Sequence, residues 1–193
     1  MPESAFSNRQ PISLGKAPER IETARLLLRR ALPSDADSIF ARYASDIEVT
    51  RYLSWPRHQS RDQTEAFLAF SDSEWLRWPA GPYLIESPDV GTLLGSTGLA
   101  FETPDTASTG YALATDAWGH GYATETLAAM VALARAVGVR RLYALCHPDN
   151  RASVRVLEKC GFILEALLPA HACFPNLGST QRQDCLRFGK SAE

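Results

Sequence analysis

Trp118-Gly119-His120-Gly121-Tyr122-Ala123-Thr124-Glu125 sits where the chain changes period. Upstream, residues 109–114 read as a strand. Downstream, Ala123, Leu127, Met130, Ala134 and Val137 form a nearly continuous apolar stripe at helical spacing, stopped by Gly138. A helix start leaves backbone N–H groups without partners and carries partial positive charge, so a strand–glycine turn–helix junction suits a diphosphate. Gly119 and Gly121 permit close approach and positive φ, Ala123 keeps the first turn small, and Thr124 adds a hydroxyl donor. Two glycines alone fit a plain tight turn equally well. A Walker loop is excluded, because Gly-x4-Gly-Lys-Ser/Thr is absent. A dinucleotide fingerprint is incomplete: its third glycine position is Thr124, and no acidic partner stands about 20 residues on.

Outward from this junction the elements follow in order. Residues 23–30 read as a first strand. Pro33-Ser34-Asp35 starts a helix carrying Ile39, Phe40 and Tyr43 on one face. Ser60 and Gln63 form a capping box at the head of a second helix, which holds Phe67, Phe70 and Trp75. Residues 83–87 and 92–101 are strands around a Pro88-Asp89-Val90-Gly91 turn. After the long helix come a strand at 142–146, a helix at 152–160 ended by Gly161, and strands at 162–168 and 183–188. Strand–helix crossovers near the end require some parallel pairing, while the middle hairpins are antiparallel. The expected fold is therefore α/β (α+β), with a mixed, mostly antiparallel sheet of about seven strands flanked by about four helices.

The 193 residues suit one domain, with 45% apolar and 22% charged residues as in ordinary globular chains. A net charge of −2 gives no overall pull toward nucleic acid or anionic membrane, and no apolar run approaches the roughly 18 residues of a spanning helix. Cys146, Cys160, Cys173 and Cys185 are scattered without a CxxC pair, which argues against a zinc site and for reduced thiols in the cytoplasm. The expectation is no metal. Residues 1–20 lack a secretory core and read as a flexible tail before a domain at 21–189. Monomer and homodimer both remain open.

The glycine turn resembles the pyrophosphate loop of the GNAT superfamily of acetyltransferases, Gln/Arg-x-x-Gly-x-Gly/Ala, aligned as Trp118-x-x-Gly121-x-Ala123. Trp118 departs from the first position, but WGHGYATE is similar to the branch of ribosomal-protein N-terminal acetyltransferases. Two further blocks agree: His147-Pro148-Asp149-Asn150-Arg151-Ala152-Ser153 with VLEKCGF to Phe162, and the opening Glu22-Thr23-Ala24-Arg25-Leu26-Leu27-Leu28-Arg29. The resemblance implies a single GNAT-like domain using acetyl-CoA. It implies that the strand ending in Leu113 and Ala114 pairs with the pantetheine arm, and that amides from Gly119 through His120, Gly121, Tyr122 and Ala123 to Thr124 take the pyrophosphate. It further implies that Asn150 binds the pantetheine side and that Ser153 reprotonates the departing thiolate. N-capping is the ordinary alternative for Asn150, and capping or solvent exposure for Ser153.

Direct attack by a neutral amine in a ternary complex needs little machinery. A thiol with a pKa near 8.5 leaves readily, and backbone N–H groups can stabilise the oxyanion. By the resemblance, a Glu often stands just before the glycine-aromatic pair of the central strand, where this chain has Ser108 ahead of Gly110-Tyr111. Glu102 is the first substitute for a base, with Asp105 and His147 behind it. An α-amine near pKa 8 is more often neutral than a lysine, so a site without a strong base tilts toward α-amines or other low-pKa amines. The acceptor, a peptide N-terminus or a small molecule, is expected against residues 51–58, with Arg51 and Arg57, and the loop 169–178. A catalytically silent acyl-CoA sensor and a nicotinamide oxidoreductase are the competing readings.

Overall fold

Small and apolar residues alternate through the middle of the chain and build the longest of the described strands, over Leu93–Thr103. The computed structural model describes residues 15–191. Among these described residues, eight strands lie in one sheet: β1 (Arg20–Glu22), β2 (Leu27–Arg30), β3 (Pro82–Glu86), β4 (Leu93–Thr103), β5 (Thr106–Leu113), β6 (Arg141–Cys146), β7 (Ile163–Ala172) and β8 (Gln183–Ser191). Their spatial order is β1-β2-β3-β4-β5-β6-β8-β7, and only β5 and β6 run parallel. The mixed sheet is as read from the sequence, with one strand more. The extra strand comes from the opening: Thr23 N donates to Leu26 O at 2.9 Å and Leu26 N donates to Thr23 Oγ1 at 3.0 Å. The threonine hydroxyl thus closes a turn inside residues 23–30 and folds that stretch back as the β1–β2 hairpin.

Five α-helices among the described residues flank the sheet: α1 (Ala36–Ile39), α2 (Ile47–Thr50), α3 (Arg61–Arg77), α4 (Tyr122–Ala136) and α5 (Arg151–Lys159). The helix expected from Pro33 is broken into a 3-10 turn, α1 and a π-turn over Phe40–Ala44. Ser60 caps α3 only by position, without a side-chain bond; Gln63 Oε1 instead accepts the Gln59 amide at 2.5 Å. None of the described helices is long and apolar enough to cross a membrane. Of the residues expected as a tail, 1–14 lie outside the described residues. Ala17 is buried and its amide donates to Pro79 O at 2.9 Å.

Period-two alternation divides the sheet into two packed faces. Leu99, Phe101, Ala107, Leu113, Leu142 and Ala144 meet Leu127, Met130 and Leu157 of α4 and α5. On the opposite face, Leu84, Leu93 and Ala112 meet Ile39, Tyr43 and Leu68 from the α1–α3 segment.

Candidate active site

The parallel pairing of β5 with β6 covers three positions, from Thr106↔Arg141 to Ser108↔Tyr143. Beyond them β5 pairs on its β4 side only, and the two strands diverge. The Ala114 amide donates to Leu94 O at 2.8 Å, so alternation turns the backbone groups of Ala112 and Gly110 toward β4 and those of Leu113 and Tyr111 toward the gap. Leu113 and Ala114, expected together at this edge, are therefore divided: Leu113 faces the gap, and the Ala114 N–H is committed to β4. The Leu113 carbonyl accepts the Trp118 indole N–H at 2.8 Å. That bond ties the end of β5 to the start of the glycine turn.

The turn has the conformation its glycines allow. Gly119 and Gly121 have φ of +77° and +79°, and Gly121 is the N-cap of α4. Glu125 N to Gly121 O, at 3.1 Å, is the first helical bond, which leaves the amides of Tyr122, Ala123 and Thr124 without backbone partners. A Cβ on Gly119 would meet nothing within 4 Å, and one on Gly121 would reach only Arg25 Nη2 at 3.5 Å. A ring of amides around an open concavity fits a diphosphate. His120 is exposed, its ring stacked on Tyr122 at 5.6 Å.

Arg25 and Glu125 brace this turn. Glu125 Oε1 accepts the Thr23 hydroxyl at 2.6 Å and the Arg25 amide at 2.8 Å, while Oε2 accepts Arg25 Nε at 2.8 Å. Arg25 Nη1 donates to His120 O at 2.9 Å. Burial works to raise the Glu125 carboxyl, but the Thr23 hydroxyl, the Arg25 amide and the guanidinium outweigh it and hold the group below its ordinary value. The Arg25–Glu125 pairing spans 100 positions, so no local sequence pattern announces it.

A cavity of about 620 Å³ passes through the gap between β5 and β6. On the α4–α5 side it touches Tyr111, Leu127, Asn150, Ser153 and Leu157; on the other it reaches Ile39, Trp55, His58 and Phe67. Asn150 Oδ1 caps α5 by accepting the Ser153 amide at 3.2 Å. Its N-cap role is thus present, and it also lines the cavity. Ser153 Oγ lies 3.3 Å from Tyr111 Oη. Burial pushes the Tyr111 phenol up to about 12, so it stays protonated and donates. Tyr111 is a site residue the sequence reading passed over.

Glu102 is not brought to this cavity. It is exposed near the β4–β5 turn, at the opposite end of the hairpin from Leu113, and accepts the Tyr143 hydroxyl. Ser108, at the position where Glu was expected, does line the cavity. His147 is buried, stacked on Tyr52 at 5.0 Å, with Nε2 3.1 Å from Gln183 Oε1 and Nδ1 accepting the Asp149 amide at 3.1 Å. Both its nitrogens are committed. Asp105 is held low by the Thr103 hydroxyl at 2.8 Å, in an exposed turn. His58 was read only as part of the acceptor segment. Its Nδ1 is 2.8 Å from the buried Thr64 hydroxyl, and its Nε2 has no partner among the described residues. Burial holds His58 below its ordinary pKa.

Both segments expected on the acceptor side contribute wall: Tyr52, Leu53, Trp55 and His58 from one, Ala172 and Phe174 from the other. Asn176 joins them, accepting the Arg57 amide at 2.8 Å and donating to the carbonyls of Thr50 and Trp55 at 2.8 and 2.9 Å. The arginines turn away: Arg57 Nη1 donates to Ser45 O at 3.1 Å, and Arg51 lies over the Tyr52 ring beside Glu48.

Residues 25–163 match the family model "Acetyltransferase (GNAT) domain". The chain is 33% identical over 156 residues to the uncharacterized N-acetyltransferase YoaA of Bacillus subtilis, covering 77% of this chain and 85% of that one. Among solved structures, a GNAT-family acetyltransferase from Bacillus anthracis superposes with a TM-score of 0.77 at 22% identity, covering 90% of this chain and 98% of the other. RimL, a ribosomal L7/L12 α-N-protein acetyltransferase in complex with coenzyme A, superposes with a TM-score of 0.78 at 23% identity, covering 90% and 98%. A family model spanning most of the chain, on a splayed β5–β6 pair and a glycine turn at a helix start, identifies the chain as a member of the GNAT acetyltransferase family.

Proposed function

We propose that this chain binds acetyl-coenzyme A along the open edge of β5 and the glycine turn, and transfers the acetyl group to a primary amine entering from the α1–α3 side. One observation carries the reading: a single cavity touches Ser153 and Tyr111 on one face of the sheet and the aromatic acceptor wall on the other. When bound, the coenzyme supplies an acetyl group activated as a thioester.

The chain's own residues then have separable tasks. The amides of residues 119–124 hold the diphosphate, with Arg25 and Glu125 keeping the turn in shape. Leu113 and Tyr111 offer backbone groups to the extended arm, and Asn150 stands beside it. A backbone N–H on this edge is the donor for the charge that develops on the carbonyl oxygen. Ser153 donates the proton that the sulfur needs on leaving, and the Tyr111 hydroxyl holds Ser153 Oγ in place. His58 Nε2 takes the proton lost by the amine, directly or through one water. The two cavity thiols are poor nucleophiles: burial pushes Cys146 up to about 12 and raises Cys185. That favours direct attack over an acyl-enzyme.

Ser153→Ala tests the assignment. Turnover, followed as thiol release, should fall by roughly 10²-fold, in the range of a lost proton donor. Coenzyme affinity in calorimetry should change by less than about 3-fold. A loss confined to affinity would make Ser153 a binding residue only.

A further inference from the structure

The acceptor half of the cavity specifies more than an amine. Along α3, Thr64, Leu68, Ser71 and Trp75 are buried in the fold, while Phe67, Phe70 and Glu74 line the cavity. Trp55 and Leu53 stand in the same wall, and Gly98 and Gly110 leave part of its floor without side chains. Among the described residues no lysine or arginine lines the cavity, and Glu74 is the one carboxylate in its wall. Glu74 is half-buried and makes no ion pair among the described residues.

These facts decide between acceptor charges. A carboxylate carried into this chamber would lose hydration, find no guanidinium or ammonium to replace it, and face Glu74. An ammonium arriving from water finds Glu74 and the faces of Trp55 and the phenylalanines. An apolar body beside the amine gains from burial against the same rings.

We infer that the acceptor is a small primary amine with an aromatic or similarly apolar body and no carboxylate beside the nitrogen, an arylalkylamine rather than a free amino acid. The inference rests on the acetyltransferase reading above and narrows it. Glu74 draws in the cationic form, and the rings hold the body while His58 receives the proton.

The test compares 2-phenylethylamine with phenylalanine, which adds only a carboxylate, under acetyl-CoA with thiol release and mass-spectrometric detection of product. The expected result is at least a 100-fold higher kcat/KM for 2-phenylethylamine. Phe70→Arg places a cation in the wall at a position whose native side chain is 53% exposed, so the fold tolerates it. This variant should narrow the gap by at least 10-fold with coenzyme affinity unchanged. Glu74→Gln should raise KM for 2-phenylethylamine several-fold. Comparable rates for the two amines, or a gap untouched by Phe70→Arg, would overturn the inference, as would preference for spermidine or for a peptide beginning with phenylalanine. Coenzyme binding without acetylation of any of these amines would instead remove the acetyltransferase reading beneath it.

Discussion

Gly110→Val should make this protein more stable and much less active. Gly110 sits in β5 opposite Gly98, with its carbonyl accepting the Thr97 hydroxyl at 2.8 Å, and its φ is outside the left-handed region. A Cβ added there meets nothing within 4 Å. The new side chain therefore enters the cavity without displacing protein. Glycine in a strand interior costs about 0.5–1 kcal/mol relative to alanine, and valine suits a pleated surface better still. A gain of about 1 kcal/mol in a chain of this size raises Tm by roughly 2–4 °C. The same two methyl groups occupy the acceptor floor beside Tyr111. Shifting a reacting nitrogen by about 1 Å costs on the order of 10²-fold in rate. Coenzyme affinity should hold, because the even-numbered side chains of β5 face the acceptor. Thermal unfolding, calorimetry with coenzyme A and thiol release with a saturating amine measure the three quantities separately. A lower Tm would mean that the space at Gly110 is not open. Undiminished turnover would mean that the amine does not pass over this strand.

Three further predictions follow from other parts of the molecule. Gly121→Glu puts a side chain on a residue at φ +79° and a negative charge among the turn amides, so coenzyme binding should disappear from calorimetry while the fold persists. His58→Gln should remove one proton dependence from the acid limb of kcat/KM. Burial keeps His58 neutral below its ordinary 6.5, so the native limb should lie below that pH, and an unchanged profile would assign the proton elsewhere. Burial works to raise Asp35, but paired bonds from Arg29 at 2.8 Å and the Leu32 amide at 2.7 Å hold it low. A depressed carboxyl stabilises the fold fully above its unfolded pKa of about 4 and loses that contribution as pH falls through the folded value. Asp35→Asn should therefore lose less stability than the native chain between pH 7 and pH 3.5 in urea titrations, by on the order of 1 kcal/mol.

What the sequence disclosed was local. The glycine turn, α4, α5 and the strands β3 to β6 announce themselves through period, breakers and caps, all within a few residues of one another. The β1–β2 hairpin was hidden because Thr23 closes its turn with a side chain, and neither glycine nor proline marks the place. Glu102 was offered as a base from the end of β4, but the end of the strand at which the cavity lies depends on where β5 and β6 separate, which no local pattern shows. Arg25 and Asn176 owe their positions to partners about 100 or more residues away, so no local pattern singles them out. Tyr111 was quoted only as half of a glycine-aromatic pair, because its partner Ser153 is 42 positions away.

The Trp118 indole bonded to the Leu113 carbonyl turns the open edge of β5 into a ruler with a stop at one end. From Thr109 to Leu113 the edge runs about 13 Å at the rise of an extended strand. A donor can lie along it for that distance and must then leave toward the glycine turn. Thioesters whose arm is too short to span the edge and still reach the turn amides gain one set of contacts by giving up the other. On the proposed reading, acyl carriers are selected by the length between sulfur and phosphate, a property of the backbone that no single side chain encodes.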